Sequence, residues 1–226
     1  VTGRNAEKNQ AIAAELGGSE RVYELEVRDE AAVAATMAQI VERWGRLDIL
    51  VNNAGLTQRV SALELSQADW ERVIGGNLTG TFLCAKHAAR AMVAQGQGGK
   101  IINMGSMYSV FGAPSGVSYT SSKTGVLGLT RALAVELGRH RIQVNAILPG
   151  WHATEMTQPV QDSPQGDLIR RKTPAGRWGT PEDVVGLAIF LASAASDFVT
   201  GAAIPVDGGY AVADRLIYEP LDLSGV

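Results

Sequence analysis

The chain has 226 residues, 46% hydrophobic and 19% charged, which suits one globular domain with a sizeable core. Its 20 Lys and Arg against 23 Asp and Glu give a formal net charge of −3, so charge offers no case for a nucleic-acid or membrane-surface partner. The single Cys84 excludes an intrachain disulfide framework and a cysteine zinc cluster and suits a reducing, cytoplasmic setting. No run reaches the roughly 18 apolar residues of a membrane-spanning helix.

No repeat, linker or low-complexity stretch divides the sequence, so residues 1–226 are expected to form a single domain. The pattern from Ala6 to Leu16 predicts a helix stopped by Gly17-Gly18, and the alternation from Arg21 to Val27 predicts a strand. Asp29 caps a second helix running to Trp44 and ending at Gly45. Leu47 to Asn52 is a compact apolar run, as in a strand buried on both faces. A long helical stretch starts at Ser66 and runs towards Ala94, followed by a strand from Lys100 to Met104. Ser118 to Leu137 reads as a helix, and Arg141 to Leu148 as a strand stopped by Pro149-Gly150. Thr180-Pro-Glu-Asp183 has the form of a capped helix start, and Ala202 to Val206 is a last short strand before Asp207-Gly-Gly209.

Strands alternating with helices predict an α/β fold, a doubly wound, mostly parallel sheet covered on both faces. Ligands of such sheets bind beyond the carboxyl ends of the strands. Asn52-Asn-Ala-Gly55, Gly105-Ser106 and Pro149-Gly150 all fall at such ends.

Ser106, Tyr119 and Lys123 form the strongest chemical constellation. Tyr119 and Lys123 are four apart and share a helix face. An ammonium beside a phenol favours the phenolate and lowers its pKa from about 10, which suits proton exchange with a carbonyl or alcohol oxygen. Ser106 can donate a hydrogen bond to the same oxygen. Asn77 lies inside a long helical stretch, where asparagine is a poor former, and can hold a water beside Lys123.

These motifs together resemble the short-chain dehydrogenase/reductase family. The match rests on Asn52-Asn-Ala-Gly55, Asn77, Ser106, Tyr119-Thr-Ser-Ser-Lys123, Asn145-Ala-Ile-Leu-Pro-Gly150 and Asp207-Gly-Gly209, with Ser106 thirteen residues before Tyr119. The resemblance implies a Rossmann-like fold and a nicotinamide-dependent oxidoreductase. It casts Tyr119 as general acid/base and Lys123 as its partner and a ribose contact. Ser106 becomes the substrate-oxygen donor and Asn77 the proton-relay residue. For the cofactor it implies Asn53 near the adenosine ribose, Glu26 and Val27 near adenine, and His152 and Thr154 near the nicotinamide carboxamide. His152 departs from the apolar residue usual there and otherwise reads as an exposed loop histidine.

Family members open with a strand, a TGxxxGxG loop and a helix; no such loop occurs here. The resemblance therefore implies a chain that starts near the end of the family's second strand, lacking the first strand, the loop and the first helix, and that binds dinucleotide poorly. At the end of the second strand Gly3 and Arg4 replace the usual acid, which favours NADP, with NAD as the alternative.

Residues 151–179 resemble the family's substrate lid. Arg59 and Thr173-Pro-Ala-Gly-Arg-Trp-Gly179 look like those of gluconate and deoxygluconate dehydrogenases, which implies a sugar-acid or polyol substrate with Arg59 on its carboxylate. The alternatives are a 3-oxoacyl thioester reductase and a non-catalytic oligomeric binding protein. The two long helices, with Ala85, Ala88 and Ala89 allowing close packing, imply a homotetramer.

Overall fold

The computed structural model describes residues 1–214. Its strands are all parallel and fall into two sheets. In the first, β1 (Thr2–Gly3) pairs with β2 (Tyr23–Glu24). In the second, β3 (Ile49–Asn52), β4 (Gly99–Met104), β5 (Ile142–Pro149) and β6 (Ala203–Val206) lie side by side in that order. Parallel strands need crossover connections, and the helices supply them: α1 (Ala6–Leu16), α2 (Glu30–Trp44), α3 (Gln67–Ile74), α4 (Gly80–Gln95) and α5 (Val117–Leu137). After β5 come the short α6 (Gln158–Gln161), α7 (Pro164–Lys172) and α8 (Glu182–Ala192).

Most helix boundaries follow the expected signals. The Asp29 carboxylate accepts from the Ala32 amide at 3.0 Å, and Gly45 ends α2 at a positive φ of 76° that disfavours other residues. At α8 the expected threonine cap is reversed: the Thr180 amide donates to the Asp183 carboxylate at 2.7 Å, and the helix starts at Glu182.

Three expectations need correction. The strand foreseen over Arg21–Val27 is a 3₁₀ turn at Ser19–Arg21 followed by only two ladder residues. The long helical stretch from Ser66 runs on to Gln95 as expected, with a π turn at Gly75–Thr79 inside it. In β3, Ile49 and Val51 are 43% and 47% exposed, not buried. They share a face with Ile102 and Ile147, which pack under α8, and that covering does not extend to them. The opposite face of the sheet buries Leu50, Ile101 and Val144 under α2, α4 and α5 in the largest core cluster. Ala85, Ala88 and Ala89, expected between subunits, belong to this core instead.

Candidate active site

The carboxyl ends of β3, β4 and β5 converge with the first turns of α5. Asn52 is buried and donates its amide to Asn103 Oδ1 at 2.9 Å; Asn103 in turn donates to Thr130 Oγ1 at 2.9 Å. This chain of amides joins β3, β4 and α5, satisfies buried polar groups, and fixes where the loops emerge. Asn53, next along, is exposed.

Ser106 follows β4 and caps a short 3₁₀ turn, accepting from the Tyr108 amide at 3.1 Å. Ser109 Oγ accepts from the Ser106 amide and donates to the Lys123 carbonyl at 2.8 Å. That pair of bonds sets the β4 loop against α5, so Ser106 and Tyr119 line one cavity of about 1000 Å³.

Lys123 is buried, and its ammonium donates to the Met104 carbonyl at 2.7 Å. It stands 5.8 Å from the centroid of the Tyr119 ring. Burial pushes Lys123 down to about 8. The Tyr119 phenol is raised above its ordinary value by burial, with the facing Ser106 hydroxyl pulling the other way. The sequence expectation was a phenol depressed by its ammonium neighbour. In the structure desolvation dominates and the shift runs the other way, while the lysine ammonium is directed to the Met104 carbonyl at the end of β4.

Asn77 sits in the π turn, where Gly76 lets Leu56 approach: a Cβ there would stand 2.8 Å from Leu56 Cδ2. Its side chain accepts from the Leu56 amide at 2.8 Å and donates to the Leu56 carbonyl at 2.9 Å and to Ser122 Oγ at 3.0 Å. Beside Gly55, the position of a Cβ would be 3.5 Å from Asn77 Oδ1 and 3.6 Å from Lys123 Nζ. Asn77, Ser106, Tyr119 and Lys123 are thus brought together.

At the other sheet, Glu26 gathers two arginines. Arg28 bonds it through Nε at 3.1 Å and Nη2 at 2.9 Å, and Arg4 through Nη1 at 3.1 Å. Arg28, then Arg4, hold the Glu26 carboxyl down to about 2 against the opposing effect of partial burial. Val27 packs its side chain towards Gly80, where a Cβ would stand 2.6 Å from it. Arg28 was missed in the sequence, although its place two residues after Glu26 was visible.

His152 is a correction. It is buried, not exposed: its backbone bridges Gly179, and its ring lies against Gly179, where a Cβ would come within 2.7 Å. Thr154 is exposed and paired with Thr157, whose Oγ1 accepts from the Thr154 amide at 3.0 Å.

The cavity's aromatic wall also escaped the sequence. Tyr108 makes edge contacts with Tyr119 (6.3 Å), Trp151 (6.0 Å) and Phe111 (5.5 Å). Arg59 lies 5.9 Å over Trp151, and Lys172 lies 3.9 Å from the centroid of Tyr210. Aromatic faces attract such cations. The position of Tyr108, two residues after Ser106, was the available signal.

The fold and this cluster of side chains place the chain in the α/β class with parallel sheets, and the comparisons are specific. The family model described as enoyl-(acyl carrier protein) reductase matches residues 1–211. The 2-dehydro-3-deoxy-D-gluconate 5-dehydrogenase of Escherichia coli (strain K12) is 48% identical over 179 residues, 79% of this chain and 71% of that protein. Gluconate 5-dehydrogenase of Gluconobacter oxydans (strain 621H) is 40% identical over 218 residues, 94% of this chain and 84% of that one. A crystal structure of a gluconate 5-dehydrogenase from Burkholderia cenocepacia J2315, in complex with NADP and tartrate, superposes with a TM-score of 0.89 at 37% identity, covering 95% of this chain and 85% of that one. The chain belongs to the short-chain dehydrogenase/reductase family, whose members are oxidoreductases.

Proposed function

We propose that this chain interconverts a secondary alcohol and a ketone on a sugar acid, using NADP(H). One observation carries the reading. The cavity that holds the Ser106 and Tyr119 hydroxyls is also lined by Arg59, Arg171 and Lys172, and none of the three forms an ion pair with a carboxylate of the described residues. Arg59 and Lys172 are seated on aromatic rings and Arg171 is exposed; positive groups so placed on a concave wall, which Asp214 also lines, suit an anionic substrate. The sugar-acid names of the relatives agree with this. A 3-oxoacyl thioester, the alternative, carries no charge beside its reacting ketone for these groups to meet.

The residues present suit NADP. Arg4 and Arg28 share a single carboxylate, Glu26, and leave one positive charge for a 2′-phosphate. Asn53, at the end of β3, would meet the adenosine ribose, and Lys123 the nicotinamide ribose. Thr154 and the His152 backbone would meet the carboxamide; the His152 ring is committed to packing on Gly179. No glycine-rich phosphate loop lies among the described residues. When bound, the nicotinamide supplies or accepts the hydride.

The protein's part is proton handling and orientation. Ser106 donates a hydrogen bond to the substrate oxygen. Tyr119, whose raised pKa keeps it protonated near neutral pH, delivers a proton to a ketone oxygen, and the resulting phenolate is the base for the reverse reaction. Lys123, held near its titration range, restores that proton, and Asn77 fixes the Gly55–Leu56 backbone beside it.

A homotetramer accompanies this reading. The support is the apolar surface left on the long helices, where Val135 is 85% exposed and Phe82 and Val93 also reach solvent. Light scattering checks it. The sugar-acid assignment is tested with a panel of aldonates and neutral alditols on the parent and Arg59→Ala. Selective loss on aldonates supports it, and equal activity on both classes in the parent removes it.

A further inference from the structure

Lys172 is the last residue of α7, and its ammonium is held on two aromatic faces, 3.9 Å from the Tyr210 centroid and 5.8 Å from that of Phe111. The turn that carries Tyr210 is fixed. The Ala175 amide donates to the Gly208 carbonyl at 3.0 Å, and Gly209 packs on Pro174, where a Cβ would stand 2.9 Å from the ring. Asp207 commits both oxygens to the turn that carries Tyr210, accepting from the Gly209 amide at 2.9 Å and the Ala211 amide at 2.8 Å.

A general attraction of cations to a helix C-terminus does not explain this placement. Arg170, in the same last turn, is answered by Asp167 at 2.6 Å. Lys172 forms no ion pair with a carboxylate of the described residues and is instead half-buried on the cavity wall. An ammonium seated on an aromatic face is ordered before a ligand arrives, so an incoming anion meets it at a smaller entropic cost.

Arg59 is held in the same manner on Trp151, at 5.9 Å. The two platforms are joined through Tyr108, whose ring touches Trp151 on one side and Phe111 on another, and also touches Tyr119. The acid/base phenol therefore stands beside the ring from which two cation-bearing arms diverge. The open cavity, about 1000 Å³, is large enough for a six-carbon chain.

We propose that Lys172 on Tyr210 is a second anion-holding residue of this cavity, and that with Arg59 it selects hydroxy or keto diacids, anionic at both ends, over acids with one carboxylate. This rests on the sugar-acid reading and narrows it. Lys172 acts on affinity and position; the hydride and proton transfers remain those already described.

The test uses three matched six-carbon polyols with a carboxylate at neither, one or both ends: alditol, aldonate and aldarate. Binding is measured by calorimetry, so the result does not depend on turnover, and KM and kcat are measured for those that react. The expected Kd for the aldarate is about tenfold or more below that for the aldonate, one ion pair's worth of discrimination. Lys172→Met should raise the aldarate Kd and KM about tenfold with kcat within about twofold, while Lys172→Arg restores the preference. An aldonate bound as tightly as the aldarate by the parent overturns the inference and leaves the sugar-acid reading intact. An alditol turned over as well as the aldonate removes the sugar-acid reading itself. The parent's binding order decides the matter even if Lys172→Met fails to fold.

Discussion

The Lys123 ammonium donates a hydrogen bond to the carbonyl of Met104 at 2.7 Å and stands 5.8 Å from the ring centroid of Tyr119. The ammonium is thus anchored to the end of β4, and the phenol one helical turn away keeps its proton. Under the proposed function this arrangement should favour ketone reduction at neutral pH, with alcohol oxidation gaining as pH rises and the phenolate becomes available.

The anchored lysine makes stability depend on pH. Its folded-state pKa is pushed down to about 8, so the unfolded chain holds the proton more tightly. Between about pH 8 and the ordinary lysine value near 10.4, stability should rise with pH, by on the order of 3 kcal/mol in total. Urea midpoints on either side of that window should separate more for the parent than for Lys123→Met. Equal separations would mean that burial does not perturb this lysine.

Asn77→Ala strips partners from the amide and carbonyl of Leu56. A loss of about 1–3 kcal/mol is expected in chemical denaturation, with a fall in kcat as the Gly55–Leu56 backbone loosens beside Lys123. Full activity with lowered stability would confine Asn77 to a structural part.

Replacing both Arg4 and Arg28 with Ala leaves Glu26 alone at the adenosine end. A free carboxylate repels a 2′-phosphate and can accept from a ribose diol. KM for NADP should rise about tenfold or more while KM for NAD stays level or falls, as steady-state kinetics would report. A parallel rise for both cofactors would count against this site.

Gly179→Ala places a methyl 2.7 Å from the His152 ring. The ring and the bridge it shares with residue 179 must shift, at a cost of about 1–3 kcal/mol measured by thermal or urea unfolding. Because that bridge ties the segment after β5, which lines the cavity at Trp151, to residue 179, substrate KM should rise as well.

The elements foreseen in the sequence were those fixed by local chemistry: Asp29 and Gly45 bound α2 as expected, and the Ser106, Tyr119 and Lys123 spacing led directly to the site. What escaped depends on distant partners. His152 reads as a loop residue until Gly179, far along the chain, is folded against it. Lys172 and Tyr210 give no sign of each other across the intervening helix α8 and strand β6. The direction of the Tyr119 shift follows from how deeply the folded chain buries the phenol, which no spacing rule reports.

In the proposed reaction the Tyr119 hydroxyl carries the proton. Tyr119→Phe, assayed by nicotinamide absorbance with NADP(H) and the best-accepted sugar acid, tests it most directly. A loss of about 10²–10⁴ in kcat is expected, with the Kd for NADPH within about twofold of the parent. Turnover close to the parent's would contradict it.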